Sequence, residues 1–593
     1  MIKETLEKWL NKETNIVKSQ ITKANIPQRI PQKSNIKPFD SNLLRVIPLG
    51  GLDEVGKNMT IVEYGNDIII IDMGIQFPEE DMLGIDFVIP DISYLKGKEH
   101  RIKGILITHG HLDHIGGIPY LIEKLNFPPI YATRLTIELI KKRNSEFRLK
   151  KPVQLKEINS NSKIKLGTIW AEFFRVNHSI PDCVGIILNT LKGILVFTGD
   201  FKFDLAPADN TQADIAKMGS MGSKNVLALF SDSTNALVPG KSISESKIVE
   251  NLDGLINNAK GRVIIASFSS LLGRIQQIIN IAVKYNRKIY VSGSSMESNI
   301  EIAKKLGYLK VPKGAVIHKM KKNGSHNEND TLILTTGSQG EEISSLTRMA
   351  KGEHAHIKIR HGDTVILSSS PIIGNERAIS RVMNDLCKRG ARVISNDIVD
   401  VHISGHAKQE DLKMMINLIK PKYLIPVHGE LVMRIGHKDL GLKMGIKEEN
   451  IIILNNGSIL LADGQKAWIH KDQIETKYIL VEGTGISSSA HQLLQDRQTL
   501  AKNGIIVVLL KIHNKRLIGK VDTISRGFIY REDTDKILED IGEKAAFAFN
   551  TIITKDKDAK YIDIKRFVKV RLESHIHNIT SKSPLIMPLI INL

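Results

Sequence analysis

From Leu44 the chain runs in short apolar, β-branched stretches, each closed by turn or polar residues. Ile68–Ile71 stops at Asp72, Gly104–Thr108 at His109, and Ile194–Thr198 at Gly199-Asp200. These stretches are too short for buried helices and rich in Ile, Val and Leu, so they predict strands. Polar residues fall at the strand ends, where open sheets place their sites.

Between about Ser242 and Arg381 the rhythm becomes strand, helix, strand. Val263–Ser267 precedes a helical pattern over Leu271–Tyr285 and then Lys288–Ser292; Thr364–Leu367, Glu376–Lys388 and Ala391–Ser395 repeat the unit. Repeated βαβ units imply a parallel sheet covered by helices, a second α/β domain inserted in the first. From Pro421 the earlier pattern returns, with Tyr423–Val427 running into His428. The spacing divides the chain into 1–43, 44–241, 242–385, 386–485 and 486–593. The first piece reads as a basic extension: residues 1–40 hold eight Lys/Arg against four Asp/Glu, with Met1–Lys12 able to form one amphipathic helix. The last reads as an accessory domain with 18 Lys/Arg against 12 Asp/Glu, ending in the apolar run Pro584–Leu593, suited to a sheet edge or a partner subunit.

Composition narrows the class. Across 593 residues, 83 Lys plus Arg outnumber 64 Asp plus Glu, for a formal charge of +19. That surplus suits a polyanionic partner such as nucleic acid. Two cysteines, Cys183 and Cys387, make no disulfide framework and point to a reducing, cytoplasmic setting. No apolar stretch approaches the roughly 18 residues that span a bilayer, so no membrane partner is expected.

The strongest chemical signal is Thr108-His109-Gly110-His111-Leu112-Asp113-His114, directly after a strand and before a helix expected near Pro119. Neutral imidazoles and carboxylates at this density suit zinc, or manganese where oxygen ligands are more numerous. One loop cannot fill two coordination spheres, so distant ligands are required. His178, Asp200 and His428 each follow or end a strand and are the candidates. No G-x-S-x-G is present, and Ser233 beside Asp232 has no histidine near it in sequence, which weakens a serine-hydrolase reading. Gly50-Gly51 and Gly56 lack a phosphate-loop pattern and read as a turn. His354, His356 and His361 read as a basic surface or a solvated face, and His575–His577 as surface.

The order and spacing of the ligand set resemble the metallo-β-lactamase superfamily. Ser231-Asp232-Ser233-Thr234 and Ser404-Gly405-His406 resemble the added motifs of its β-CASP nucleases. With Gly50–Asn58, Asp72–Pro90, Thr335–Glu341 and Ser525–Phe528, residues from about 44 onward resemble the ribonuclease J family. The resemblance implies an αββα sandwich, an inserted β-CASP α/β domain and a small C-terminal α+β domain. It implies two divalent cations per chain, zinc or manganese: one on His109, His111 and His178, the other on Asp113, His114 and His428, with Asp200 between them. Asp72 would orient a ligand imidazole from behind. His406 would act as general acid beside Asp232, and Asp113 would belong to the catalytic set. Phe268, Ser269, Ser270, His402, Ile403, Ser404, Gly405 and His406 would bind RNA phosphate and nucleotide, although Leu271-Leu272 makes the first segment less polar than the family pattern.

The implied activity is a metal-dependent ribonuclease acting internally and from the 5′ end of single-stranded RNA, in RNA maturation and mRNA decay. A homodimer or homotetramer and other RNA-decay proteins are the implied partners. A small-molecule metallo-hydrolase, a non-catalytic RNA-binding scaffold and a DNA nuclease on the same fold are the alternatives. The inserted domain and the charge disfavour the first of these, and seven retained ligand positions disfavour the second.

Overall fold

The computed structural model describes residues 40 and 42–593 apart from 80, 208–209, 314, 316, 320–328, 373, 487–489 and 530–533. The expected basic extension, with its Met1–Lys12 helix, lies outside the described residues.

Two sheets packed face to face form the frame of the site. The first has eight strands in the order Ala467–Gln473, Ser458–Ala462, Leu44–Gly50, Met59–Tyr64, Asp67–Ile71, Ile102–Leu106, Ile130–Ala132 and Leu155–Glu157. The second has six: Tyr423–Val427, Val226–Asp232, Gly193–Phe197, Val184–Thr190, Ile169–Arg175 and Lys163–Leu166. Asp67–Ile71 is buried along its whole length, which is why it reads as a continuous apolar run and not as an alternation. Val62, Ile69 and Leu106 of the first sheet meet Phe173, Ile186, Leu195 and Phe230 of the second in one core. Helices Gln409–Ile419 and Leu431–Lys443 cover the far face of the second sheet, burying Met415, Ile416 and Leu440 with Leu229 and Leu424.

A third sheet is wholly parallel, in the order Ile317–Lys319, Lys288–Ser292, Thr331–Thr335, Val263–Ala266, Thr364–Leu367 and Arg392–Ile394. Helices cover both of its faces. Glu245–Asn258 and Leu272–Lys284 pack on one side; Ser345–Lys351 and Glu376–Lys388 pack on the other through Leu346, Met349, Ile379, Val382 and Leu386. The expected parallel α/β unit is therefore present. Its place in the chain follows from the pairing of Asp232 with Val427, which makes Val226–Asp232 and Tyr423–Val427 direct neighbours although 190 intervening positions form the excursion.

At the C-terminus, Ile505–His513 is the central strand of a small sheet backed by helices Thr534–Lys555 and Tyr561–Thr580. The apolar C-terminal run settles as Leu585–Asn592, paired in parallel with Ile505–His513. No helix among the described residues is long and apolar enough to cross a membrane.

Candidate metal centre and RNA cleft

Strand direction brings the distant ligands together. Gly193–Phe197, Val226–Asp232 and Tyr423–Val427 are mutually parallel, as are Asp67–Ile71 and Ile102–Leu106. Asp200, Asp232, His428, Asp72 and His109 thus all emerge where strands end. His428 takes φ 55°, a left-handed conformation that a non-glycine residue rarely adopts, as the chain turns out of its strand.

The helix expected near Pro119 is present as Ile118–Leu121, and a further short turn, Leu112–Ile115, precedes it, so Asp113 and His114 are already helical. Pro119 sits in the first turn of the second piece, where its missing N–H costs nothing.

Two ligand groups result. His109, His111 and His178 form one; Asp113, His114, Asp200 and His428 form the other, with the ligand atoms of each group within 4.8 Å of one another. His111 Nδ1 is 3.0 Å from His109 Nε2 and 3.2 Å from His178 Nε2. Asp200 Oδ2 lies 3.7 Å from both His109 Nε2 and His178 Nε2 and 3.3 Å from His114 Nε2, while its Oδ1 lies 3.5 Å from His428 Nε2. Asp113 Oδ2 is 3.3 Å from His114 Nε2 and 3.5 Å from His428 Nε2.

Several of the imidazoles are oriented by their other nitrogen. His114 Nδ1 is 2.8 Å from Asp72 Oδ2, and Thr108 holds that carboxylate through its backbone N–H (2.8 Å) and its hydroxyl (2.9 Å). His178 Nδ1 donates to the Gly405 carbonyl at 2.8 Å. Thr234 Oγ1 pairs with His428 Nδ1 at 2.8 Å and donates to Asp232 Oδ1 at 2.7 Å. His406 Nδ1 meets the other Asp232 oxygen at 2.8 Å.

Electrostatics split the two groups. Burial, reinforced by neighbouring imidazoles, holds His109 and His178 well below the ordinary histidine range and His111 down to about 4. All three are neutral donors. Burial also opposes charge on His114, but Asp200, Asp113 and Asp72 lift it well above its ordinary value. The same opposition is overcome at His406, which Asp232, Asp200 and Asp113 raise to about 9. Asp113 and Asp200 are held well below the carboxylate range against their burial, chiefly by His114 and by His428 with His114, respectively.

These residues fit a divalent cation. His428 Nε2 is buried with no hydrogen-bond partner among the described residues and faces two carboxylates. His109, His111 and His178, all held neutral by burial, turn one nitrogen each towards a common point. Such a donor set of nitrogen and carboxylate oxygen is the chemistry of a zinc-type site.

On the substrate side the structure brings some expected residues together and gives others structural work. The Phe268 and His402 rings stand 6.2 Å apart between centroids. His402 Nδ1 is buried with no hydrogen-bond partner among the described residues, and burial with nearby Arg274 takes the ring down to about 3. Arg274 donates to Glu245, to Ser368 Oγ at 2.7 Å and to the Val401 carbonyl at 2.6 Å, fixing the chain beside His402. Ile403 is buried. Ser404 Oγ accepts from Asn235 at 2.9 Å and from the His406 amide at 3.2 Å. Ser269 accepts from Asn299 through its carbonyl and its hydroxyl, and Ser270 is half-buried beside it.

Sequence reasoning missed Thr108 and Thr234, although a threonine two positions after Asp232 carries the signature of a local side-chain turn. It also missed His437, whose Nδ1 lies 3.1 Å from Ser233 Oγ; both are fully buried, so this pair offers no nucleophile to a substrate. His354 is not part of a surface. It is buried, and its Nδ1 accepts the amides of His356 and Ile357.

Residues 52–240 match the metallo-beta-lactamase superfamily, 260–386 the beta-CASP domain of ribonuclease J, 390–454 the RNA specificity domain of Zn-dependent metallo-hydrolases, and 492–593 the ribonuclease J C-terminal domain. Ribonuclease J 1 of Streptococcus pyogenes is 40% identical over 94% of this chain and 98% of its own. Ribonuclease J2 of Bacillus subtilis is 38% identical over 94% of this chain and 100% of its own. A crystal structure of a protein of unknown function from Enterococcus faecalis shares the fold at a TM-score of 0.50 and 16% identity, covering 71% of this chain and all of that one. With ribonuclease J domains matching along the chain and relatives aligned over nearly its whole length, the protein belongs to the ribonuclease J family.

Proposed function

We propose that the chain hydrolyses single-stranded RNA, internally and from the 5′ end, with two divalent cations, zinc before manganese, held by the two ligand groups. The observation that carries this reading is the convergence of His109, His111 and His178 on one side of Asp200 and Asp113, His114 and His428 on the other. When bound, such a pair of ions supplies Lewis-acid polarisation of the phosphodiester and an activated water.

The chain's own residues do the rest. Asp200, whose Oδ2 lies near both groups, spans the two. Asp72 and the Gly405 carbonyl hold His114 and His178 in their ligating orientations. His406, kept protonated by Asp232, is placed to give a proton to the departing 3′-oxygen, and Asp113 contributes its carboxylate beside the reacting phosphate. His402, Ile403, Ser404, Gly405 and His406, with Phe268, Ser269 and Ser270 opposite, hold the terminal nucleotide and its 5′-phosphate. Hydroxyl and backbone donors suit a compact anion there, and fixing the end selects which phosphodiester reacts. The surplus of +19 favours RNA over a small substrate. Action in the cytoplasm, in RNA maturation and mRNA decay, and assembly as a homodimer or homotetramer with other RNA-decay proteins complete the reading.

The test is cleavage of end-labelled RNA by the full chain beside its His109→Ala and Asp113→Ala variants. Both variants should bind RNA and fail to cut it. Near-normal cutting by either removes the metal mechanism.

A further inference from the structure

The Gly50–Asn58 stretch contributes none of the seven ligands, yet its last residue reaches the centre. The Asp113 carbonyl accepts from the Asn58 backbone N–H at 3.0 Å and from Asn58 Nδ2 at 3.1 Å. Nδ2 also stands 3.2 Å from His114 Nε2. Asn58 is fixed in turn, because its own carbonyl accepts the Gly74 amide at 2.9 Å.

Two glycines make this approach feasible. A Cβ on Gly74 would lie 1.6 Å from the Asp113 oxygen, so only glycine lets the two loops meet. Gly51, at φ +87°, would drive a Cβ to 2.3 Å from Asn58 Oδ1. Asn58, Gly51, His114, Asp200 and His428 line one small cavity of about 60 Å³.

Asp113 needs such support. It sits in the first turn of the four-residue helix Leu112–Ile115, and the Gly117 amide that would cap its carbonyl is turned to Met73 instead. The Leu112 and His114 carbonyls on either side accept the Ile75 and Met73 amides, so the Asn58 donors complete the row of bonds that fixes this turn and the direction of the Asp113 carboxylate.

We infer that the Asn58 carboxamide is a positioning residue for the second cation group, holding the Asp113 carbonyl so that its carboxylate faces His114, Asp200 and His428. The inference rests on the two-metal reading and adds a residue to it. The polar side chain acts through Asp113 and leaves the His109, His111 and His178 group untouched.

Titration of chelated full-length protein with cobalt(II), followed by visible absorption, tests it. Unaltered protein should take up two equivalents in two spectral phases; fewer than two would defeat the two-metal reading itself. Asn58→Leu, which keeps the volume and removes the amide donors, should show an unchanged first phase and a second-phase affinity reduced about 10–100-fold. Gly51→Ala, which displaces the amide without changing its chemistry, should show the same selective loss. A thermal melt establishes that each titrated variant is folded. Second-phase affinity equal to the unaltered protein in either folded variant, or loss of both phases together, would overturn the inference.

Discussion

Asp200 Oδ2 stands 3.3 Å from His114 Nε2, and the same oxygen is 3.7 Å from His109 and His178, so one carboxylate touches both ligand groups. Its position follows from the parallel pairing of Gly193–Phe197 with Val226–Asp232, which ends both strands at the edge where the histidine loop lies. Asp200→Ala should therefore lower cation content at both groups, whereas His178→Ala should lower it at one. Elemental analysis of the purified variants reads the difference. Equal losses in the two would place Asp200 outside the shared position.

Asp232 links His406, the proposed general acid, to the second ligand group. One of its oxygens meets His406 at 2.8 Å; the other accepts from Thr234, which also holds His428. Asp232→Asn should slow single-turnover cleavage by about 10²–10⁴-fold, the usual range for a lost proton donor, with RNA affinity little changed. Cleavage within a factor of two of normal would remove His406 from proton transfer.

His437 gives the fold an acid-sensitive point. It is fully buried, its Nε2 has no hydrogen-bond partner among the described residues, and burial takes its pKa to about 4 against an ordinary 6.5. The unfolded chain then binds a proton that the folded chain refuses, so stability falls as pH drops from 6.5 towards 4, by up to about 3 kcal/mol from this group. Above pH 6.5 both states are neutral and the contribution vanishes. Denaturant unfolding of His437→Gln should show a shallower decline over that window than the unaltered chain. Identical pH profiles would refute the assignment.

Much of the site was legible because its ligands sit at strand ends. Apolar runs lead into Asp72, His109, Asp200 and His428. Singly a strand-end position marks no ligand; it is the order and spacing of the set that points to one, while the structure brings all four to one edge. The supporting atoms were hidden for a physical reason. The Gly405 carbonyl that orients His178 and the Asp113 carbonyl that Asn58 holds are backbone groups, which leave no residue-type signature. His437 reaches Ser233 across 204 positions of chain, a distance no local spacing reveals. Pro119 marked the helix that begins at Ile118, whereas the four-residue turn Leu112–Ile115 inside the histidine loop carries no such mark and went unforeseen.

The proposed pocket for the RNA terminus predicts a preference among 5′ ends. RNA carrying a 5′-monophosphate should be degraded exonucleolytically faster than the triphosphorylated form, with internal cleavage much less affected. Ser404 bonds Asn235 and the His406 amide, so Ser404→Ala should loosen the segment beside the pocket and reduce that preference more than internal cutting. Single-turnover rates on matched substrates decide it. Equal rates for both ends would sink the pocket while leaving internal hydrolysis standing.

Hydrolysis by this chain depends on the proposed pair of cations. Chelated full-length protein, titrated with zinc while cleavage of end-labelled RNA is followed under single-turnover conditions, tests this directly. Cleavage should stay low through the first equivalent and rise with the second, because both ligand groups around Asp200 must be filled. Full cleavage by the metal-free chain, or a maximum at one equivalent, would contradict it.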